Sequence, residues 1–184
     1  MSKVSIGLVA CALALSFTVQ AQQPLPELSI PDVPVLDQNG HKRKFYTDLV
    51  KDKTVVINLV FTTCKGMCPL LGANFSKLQT ALGDRLGKEV FLISVSTDPE
   101  TDSPEVFKAW GAKFKAKDGW TLVTGDKDEL DSLLQVLSGD GPRKGYHAPS
   151  LCIFNGKTKT YRWAYGLEAP GRVIQIVDEL ARQK

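Results

Sequence analysis

The sequence predicts an α/β domain, a mixed β-sheet flanked by helices, and three observations carry that prediction. From residue 54 onward, β-branched apolar runs alternate with segments of helical periodicity, the pattern of strands joined by helical crossovers. The run TVVINLVF (54–61) is apolar without alternation, as expected of a strand buried on both faces. Two closing strands, SLCIF (150–154) and TYRWAYG (160–166), flank an Asn155-Gly156 turn and so run antiparallel.

Each element follows in chain order. PVLDQNGHKRKF (34–45) reads as an N-terminal hairpin extension turning at Asn39-Gly40, with His41 an ordinary surface residue beside the turn. After the strand at 54–61, Leu71, Phe75, Leu78 and Leu82 mark one face of a helix. EVFLISVS (89–96) is the next buried strand. DSPEVFKAWGAKF (102–114) opens a helix with Asp102 or Ser103 as N-cap and Pro104 in the first turn. Val106, Phe107, Trp110 and Phe114 are expected on its buried face. WTLVTG (120–125) is a third strand, and Leu130, Leu133, Leu134 and Leu137 give the inward face of the following helix. After the closing hairpin, Val173, Ile176, Val177 and Leu180 face the core from a helix over Gly171–Gln183. The order β-α-β-α-β-α-β-β-α is the thioredoxin-like arrangement.

Upstream of the domain, the first 21 residues have one early cation, Lys3, an apolar stretch from Val4 to Val19, and compact residues before Gln22. That is the pattern of a secretory signal peptide. LVAC (8–11) resembles a lipoprotein box, but the apolar run continues past Cys11. An uncleaved membrane anchor is the less favoured alternative. Residues 22–33 are proline-rich and read as an extended tether, leaving 34–184 as the thioredoxin-like domain. The net charge of +3 is mild, and no basic stripe interleaved with aromatics occurs, which argues against a nucleic-acid partner. Export implies a periplasmic or other extracytoplasmic compartment, where disulfides persist.

The chemistry concentrates in LVFTTCKGMCP (59–69). Cys64 and Cys68 lie where the first core strand ends and a helix begins. Ligands gather outside the carboxyl ends of strands in open α/β sheets, and a helix N-terminus favours thiolate. Residues four apart in a helical turn have Cα atoms about 6 Å apart, inside the span a disulfide allows. The pair can therefore cycle between dithiol and disulfide, or pinch one soft cation. Without Cys11 three cysteines remain, an odd number that weakens a purely structural staple. A structural zinc site needs four ligands, commonly as two pairs, and no second pair exists. Cys152 sits inside SLCIF as a buried small hydrophobe, and Met67 reads as an apolar residue rather than a ligand. His147, in the loop before the strand at 150–154, is expected to face the cysteine loop. Two thiolates and an imidazole suit copper, as Cu(I) or, with an added ligand, Cu(II). Asp98, in STDPETDSPE (96–105), is a candidate to orient the site, whereas Asp102 to Glu105 are accounted for by helix capping.

Together these segments resemble the Sco/SenC family of exported, thioredoxin-fold copper proteins. The resemblance runs from about Pro34 to Leu180 and is carried by C-x3-C-P at Cys64–Pro69, SxDPExDxPE at Ser96–Glu105, GWTLVTG at 119–125 and the loop at His147. It implies Cys64, Cys68 and His147 as copper ligands. It also implies a cuproprotein partner, a cytochrome c oxidase subunit or a periplasmic copper carrier, which receives copper or has its thiols kept reduced. Two departures keep a thiol-disulfide oxidoreductase using Cys64 and Cys68, without a physiological metal, as the alternative. Lys65-Gly66 follow the first cysteine where the family has proline. Ala148-Pro149 follow the histidine in place of Ser or Thr, resembling the thioredoxin loop whose proline packs on the redox cysteines.

Overall fold

A computed structural model describes residues 27–138 and 149–182. Seven strands form one sheet: β1 (Pro34–Asp37), β2 (Lys42–Lys44), β3 (Thr54–Val60), β4 (Val90–Ser96), β5 (Trp120–Thr124), β6 (Ser150–Asn155) and β7 (Tyr161–Tyr165). Among the described residues four α-helices accompany them: α1 (Met67–Leu82), α2 (Pro104–Lys113), α3 (Lys127–Leu137) and α4 (Pro170–Ala181), besides short helical turns at Phe45–Val50 and Gly83–Arg85. The sheet order is β2-β1-β5-β4-β3-β6-β7. β3, β4 and β5 are mutually parallel neighbours, while β6 joins β3 and β7 joins β6 antiparallel. The mixed α/β sheet inferred from the order of elements is the one observed.

Strand residues of alternating parity feed two cores, as the two-residue strand period requires. Val56, Val60, Leu92, Trp120 and Leu122 face α1, α2 and α4, whose Phe75, Phe107 and Val177 share that core. Val55, Ile57, Ile93 and Val123 face α3 through Leu130, Leu133 and Leu137. The N-terminal hairpin attaches beyond β5, where Leu36 pairs with Thr124. Its turn depends on Asp37, whose carboxylate accepts the N–H groups of Asn39 and His41, and on Gly40 at φ +78°. His41 is exposed there, as expected of a hairpin residue.

Two sequence expectations change. The stretch anticipated as a tether is, from Glu27 on, laid along the domain: Leu28 N–H reaches the Lys159 carbonyl at 3.0 Å, and Ile30 and Val33 are buried in the second core. Residues 1–26, including the proposed signal peptide, lie outside the described residues. Val106, expected inside, is 42% exposed. The inward stripe of α2 is Phe107, Trp110 and Gly111, spaced by three and four residues, and Val106 stands roughly 100° round the helix from Phe107. Phe114 lies just past the helix end, half-buried and packed against Trp110 with ring centroids 4.6 Å apart and the rings tilted by 58°.

Candidate functional site

β3 delivers the chain to the C-terminal edge of the parallel strands, and Phe61–Gly66 cross from there to α1. The crossing is a tight turn in which Cys64 N–H donates to the Phe61 carbonyl at 3.3 Å. Helix α1 starts at Met67 after Gly66, which supplies no side-chain cap. The sulfur of Cys64 takes that place: Cys68 N–H donates to Cys64 Sγ at 3.4 Å. One of the free N–H groups that every helix start leaves over is thus spent on a thiol.

The cysteines lie only four positions apart, yet their surroundings differ. Cys64 is half-buried and Cys68 is 5% exposed against Val60, Leu71 and Phe75. Burial pushes the Cys64 thiol up, but hydrogen bonds from the Cys68 thiol and from the N–H groups of Cys68, Gly66 and Met67 outweigh it, so its pKa falls below the ordinary 9.0. Cys68 is pushed up to about 12, first by burial, then by the Cys64 sulfur and the Asp102 carboxylate, against one stabilising bond from Phe61 N–H. The first proton to leave the pair therefore leaves from Cys64.

Asp102 is the group that sequence reasoning misassigned. Ser103 alone caps α2, its Oγ accepting Val106 N–H at 3.4 Å. Asp102 is instead fully buried, and its carboxylate accepts Thr62 N–H at 3.1 Å, the Thr62 hydroxyl at 2.5 Å and the Ser96 hydroxyl at 2.7 Å. Asp98 contributes its backbone, with its carbonyl accepting the N–H groups of Thr101 and Asp102. The available signal was redundancy: two adjacent cap residues for one helix leave one unassigned.

Cys152 lies on β6, 1% exposed, opposite Ile57 and in the core on the other face of the sheet from Cys68. It is the buried small hydrophobe expected. Met67 packs half-buried against the first core. His147 and Ala148 lie outside the described residues. Pro149 is held by Gly166 N–H on its carbonyl at 2.6 Å, and Gly166 presses so near Leu71 of α1 that a Cβ there would stand 2.4 Å from it. Among the described residues no third His, Cys, Asp or Glu joins the two sulfurs in a metal-holding group.

With this geometry in view, comparison with known proteins decides the family. The model of the SCO1/SenC family matches residues 31–145. The chain belongs to the SCO1/SenC family. The SCO1 protein homolog of Bacillus subtilis (strain 168) is 29% identical over 125 residues, 67% of this chain and 64% of that protein. The chain spans about half to two thirds of the length of the curated relatives it matches. A SCO1/SenC family lipoprotein from Bacillus anthracis superposes with a TM-score of 0.73 at 24% identity, covering 88% of this chain and all of that one. Bradyrhizobium japonicum ScoI, solved with copper bound, superposes at 0.67 with 20% identity, covering 83% of this chain and 99% of that one. At these identities the structural likenesses establish the shared thioredoxin-like fold.

Proposed function

We propose that this protein is an exported copper-binding member of its family. It delivers copper to a cuproprotein such as cytochrome c oxidase, directly or through a periplasmic copper carrier, or keeps that protein's cysteines reduced. The observation that carries this is the paired soft donor. Two sulfurs share one hydrogen-bonded unit at a helix N-terminus, one held as the readier thiolate and the other beside it as a buried thiol. Thiolates select Cu(I) and, with an imidazole and a further ligand, accommodate Cu(II). Cys64 and Cys68 are the ligands, and His147 is the proposed third. Supporting His147, β6 runs antiparallel to β3 with Leu151 opposite Asn58, so β6 begins beside the end of β3 that leads to Cys64, and His147 precedes Ser150 by three residues in the sequence.

Both thiols must lose their protons to bind metal, so affinity falls with acid. Copper titration of the reduced protein tests this. The expected result is one equivalent bound tightly, binding abolished by Cys64→Ser or Cys68→Ser, and binding weakened by His147→Ala. Stoichiometric binding indifferent to all three substitutions sinks the proposal.

The asymmetry of the two thiols also favours a second reading, thiol-disulfide exchange without metal. Cys64 thiolate would attack a partner disulfide and release one partner thiolate, and Cys68 would then displace the second, leaving the Cys64–Cys68 disulfide. Trapping of a mixed disulfide by Cys68→Ser, but not by Cys64→Ser, is its signature. The N-terminal pattern supports work outside the cytoplasm, with the N-terminus cleaved or retained as a membrane tether, and cell fractionation checks it.

A further inference from the structure

One buried carboxylate ties the cysteine turn to two neighbouring segments. Oδ1 of Asp102 takes both Thr62 donors, and Oδ2 takes the hydroxyl of Ser96, the last residue of β4. Thr62 stands two residues before Cys64, inside the turn that Cys64 N–H closes on Phe61. Asp102 is itself anchored, its N–H on the Asp98 carbonyl at 2.9 Å and α2 starting two residues later. The turn is thus pinned at Thr62 by Asp102 and at Cys64 by the start of α1.

We propose that Asp102, acting through Thr62, is a positioning residue that presets the Cys64 turn for closure of the Cys64–Cys68 disulfide. A disulfide tolerates a narrow range of separations and torsions. A turn already confined to one conformation loses less freedom on closing, which raises the effective concentration of one thiol at the other. This rests on the reading that the pair cycles between dithiol and disulfide. In that step the two thiols give two electrons and two protons to an oxidant. With glutathione disulfide as oxidant, the Cys64–Cys68 S–S bond forms and two glutathione thiols are released.

The test equilibrates the metal-free protein with glutathione redox buffers and quantifies dithiol and disulfide by alkylation and mass. Thr62→Val is expected to lower the equilibrium constant for disulfide formation about fivefold. Asp102→Ala is expected to lower it at least tenfold, equal to about 30 mV for a two-electron couple. Asp102→Asn, whose amide oxygen still accepts both Thr62 donors, is expected to stay within threefold of wild type. Urea unfolding of both redox forms runs alongside. A residue that merely supports the fold weakens dithiol and disulfide forms alike and leaves the constant unchanged. A constant within twofold of wild type in Thr62→Val, or one that rises, overturns the proposal, and that milder variant decides alone should Asp102→Ala not fold. Wild-type protein that closes no intramolecular disulfide at all would instead remove the redox reading, and this proposal with it.

Discussion

Alkylation of the reduced, metal-free protein should modify Cys64 long before Cys68, and the size of the preference follows from their surroundings. Cys68 at about 12 carries a thiolate fraction near pH 7 of roughly 10⁻⁵. Cys64, below 9.0, carries more than about 10⁻². That is a ratio above roughly 1,000. Nucleophilicity falls with pKa by a Brønsted coefficient of about 0.4–0.5, which returns some 20- to 30-fold and leaves a net preference of at least about 30-fold. Burial of Cys68 under the core widens it further. The assay is iodoacetamide labelling from about pH 5 to about pH 9, with modified cysteines located by peptide mass. The Cys64 rate should climb with an inflection below that of an ordinary thiol, while Cys152, fully buried, stays unmodified until the protein unfolds. Cys68→Ala removes a thiol donor to Cys64 and should move the inflection up. Equal labelling of the two cysteines, or earlier labelling of Cys68, would refute the assignment of roles.

Two further outcomes concern stability. Asn58 is wholly buried in β3, and among the described residues neither of its amide atoms has a hydrogen-bond partner, so Asn58→Leu should stabilise the fold by about 1–2 kcal/mol; a lower urea midpoint would contradict this. Asp37 is buried, which opposes its ionisation, but hydrogen bonds from the N–H groups of Asn39 and His41 and from the Arg43 and His41 side chains prevail and lower its pKa. The stability it contributes is present above its unfolded value of about 3.9 and lost as pH falls through the folded value. Asp37→Asn keeps an oxygen for the two N–H groups but loses the Arg43 and His41 partners of Oδ2. It should cost about 1–2 kcal/mol near neutrality, and urea melts at successive pH values should show that gap closing in acid.

Much of the candidate site was legible because it depends on local order. A strand end followed by a helix start places Cys64 and Cys68 at the functional edge whatever surrounds them, and the apolar neighbours Leu151, Ile153 and Phe154 mark Cys152 as core. Asp102 was not legible. A carboxylate beside a serine and a proline has the composition of a solvent-facing cap, and its burial becomes visible only when the β3–α1 turn comes to rest beside the end of β4. The same holds for Val106, whose apolar character says nothing of which side of α2 meets the sheet.

By itself the sequence determined the succession of elements, the parallel core with its antiparallel close, the face that α1, α3 and α4 bury, and the position of the thiol pair. These are set by hydrophobic period, turn residues and caps, all of them short-range. Tertiary structure alone decided that Glu27–Val33 lies on the domain, that the two thiols differ in ionisation, and that Asp102 grips the cysteine turn. Each of those depends on burial and on hydrogen bonds between segments distant in the chain, Thr62 to Asp102 and Leu28 to Lys159. No local pattern encodes such contacts, because their energy exists only once the packed core has excluded water from them.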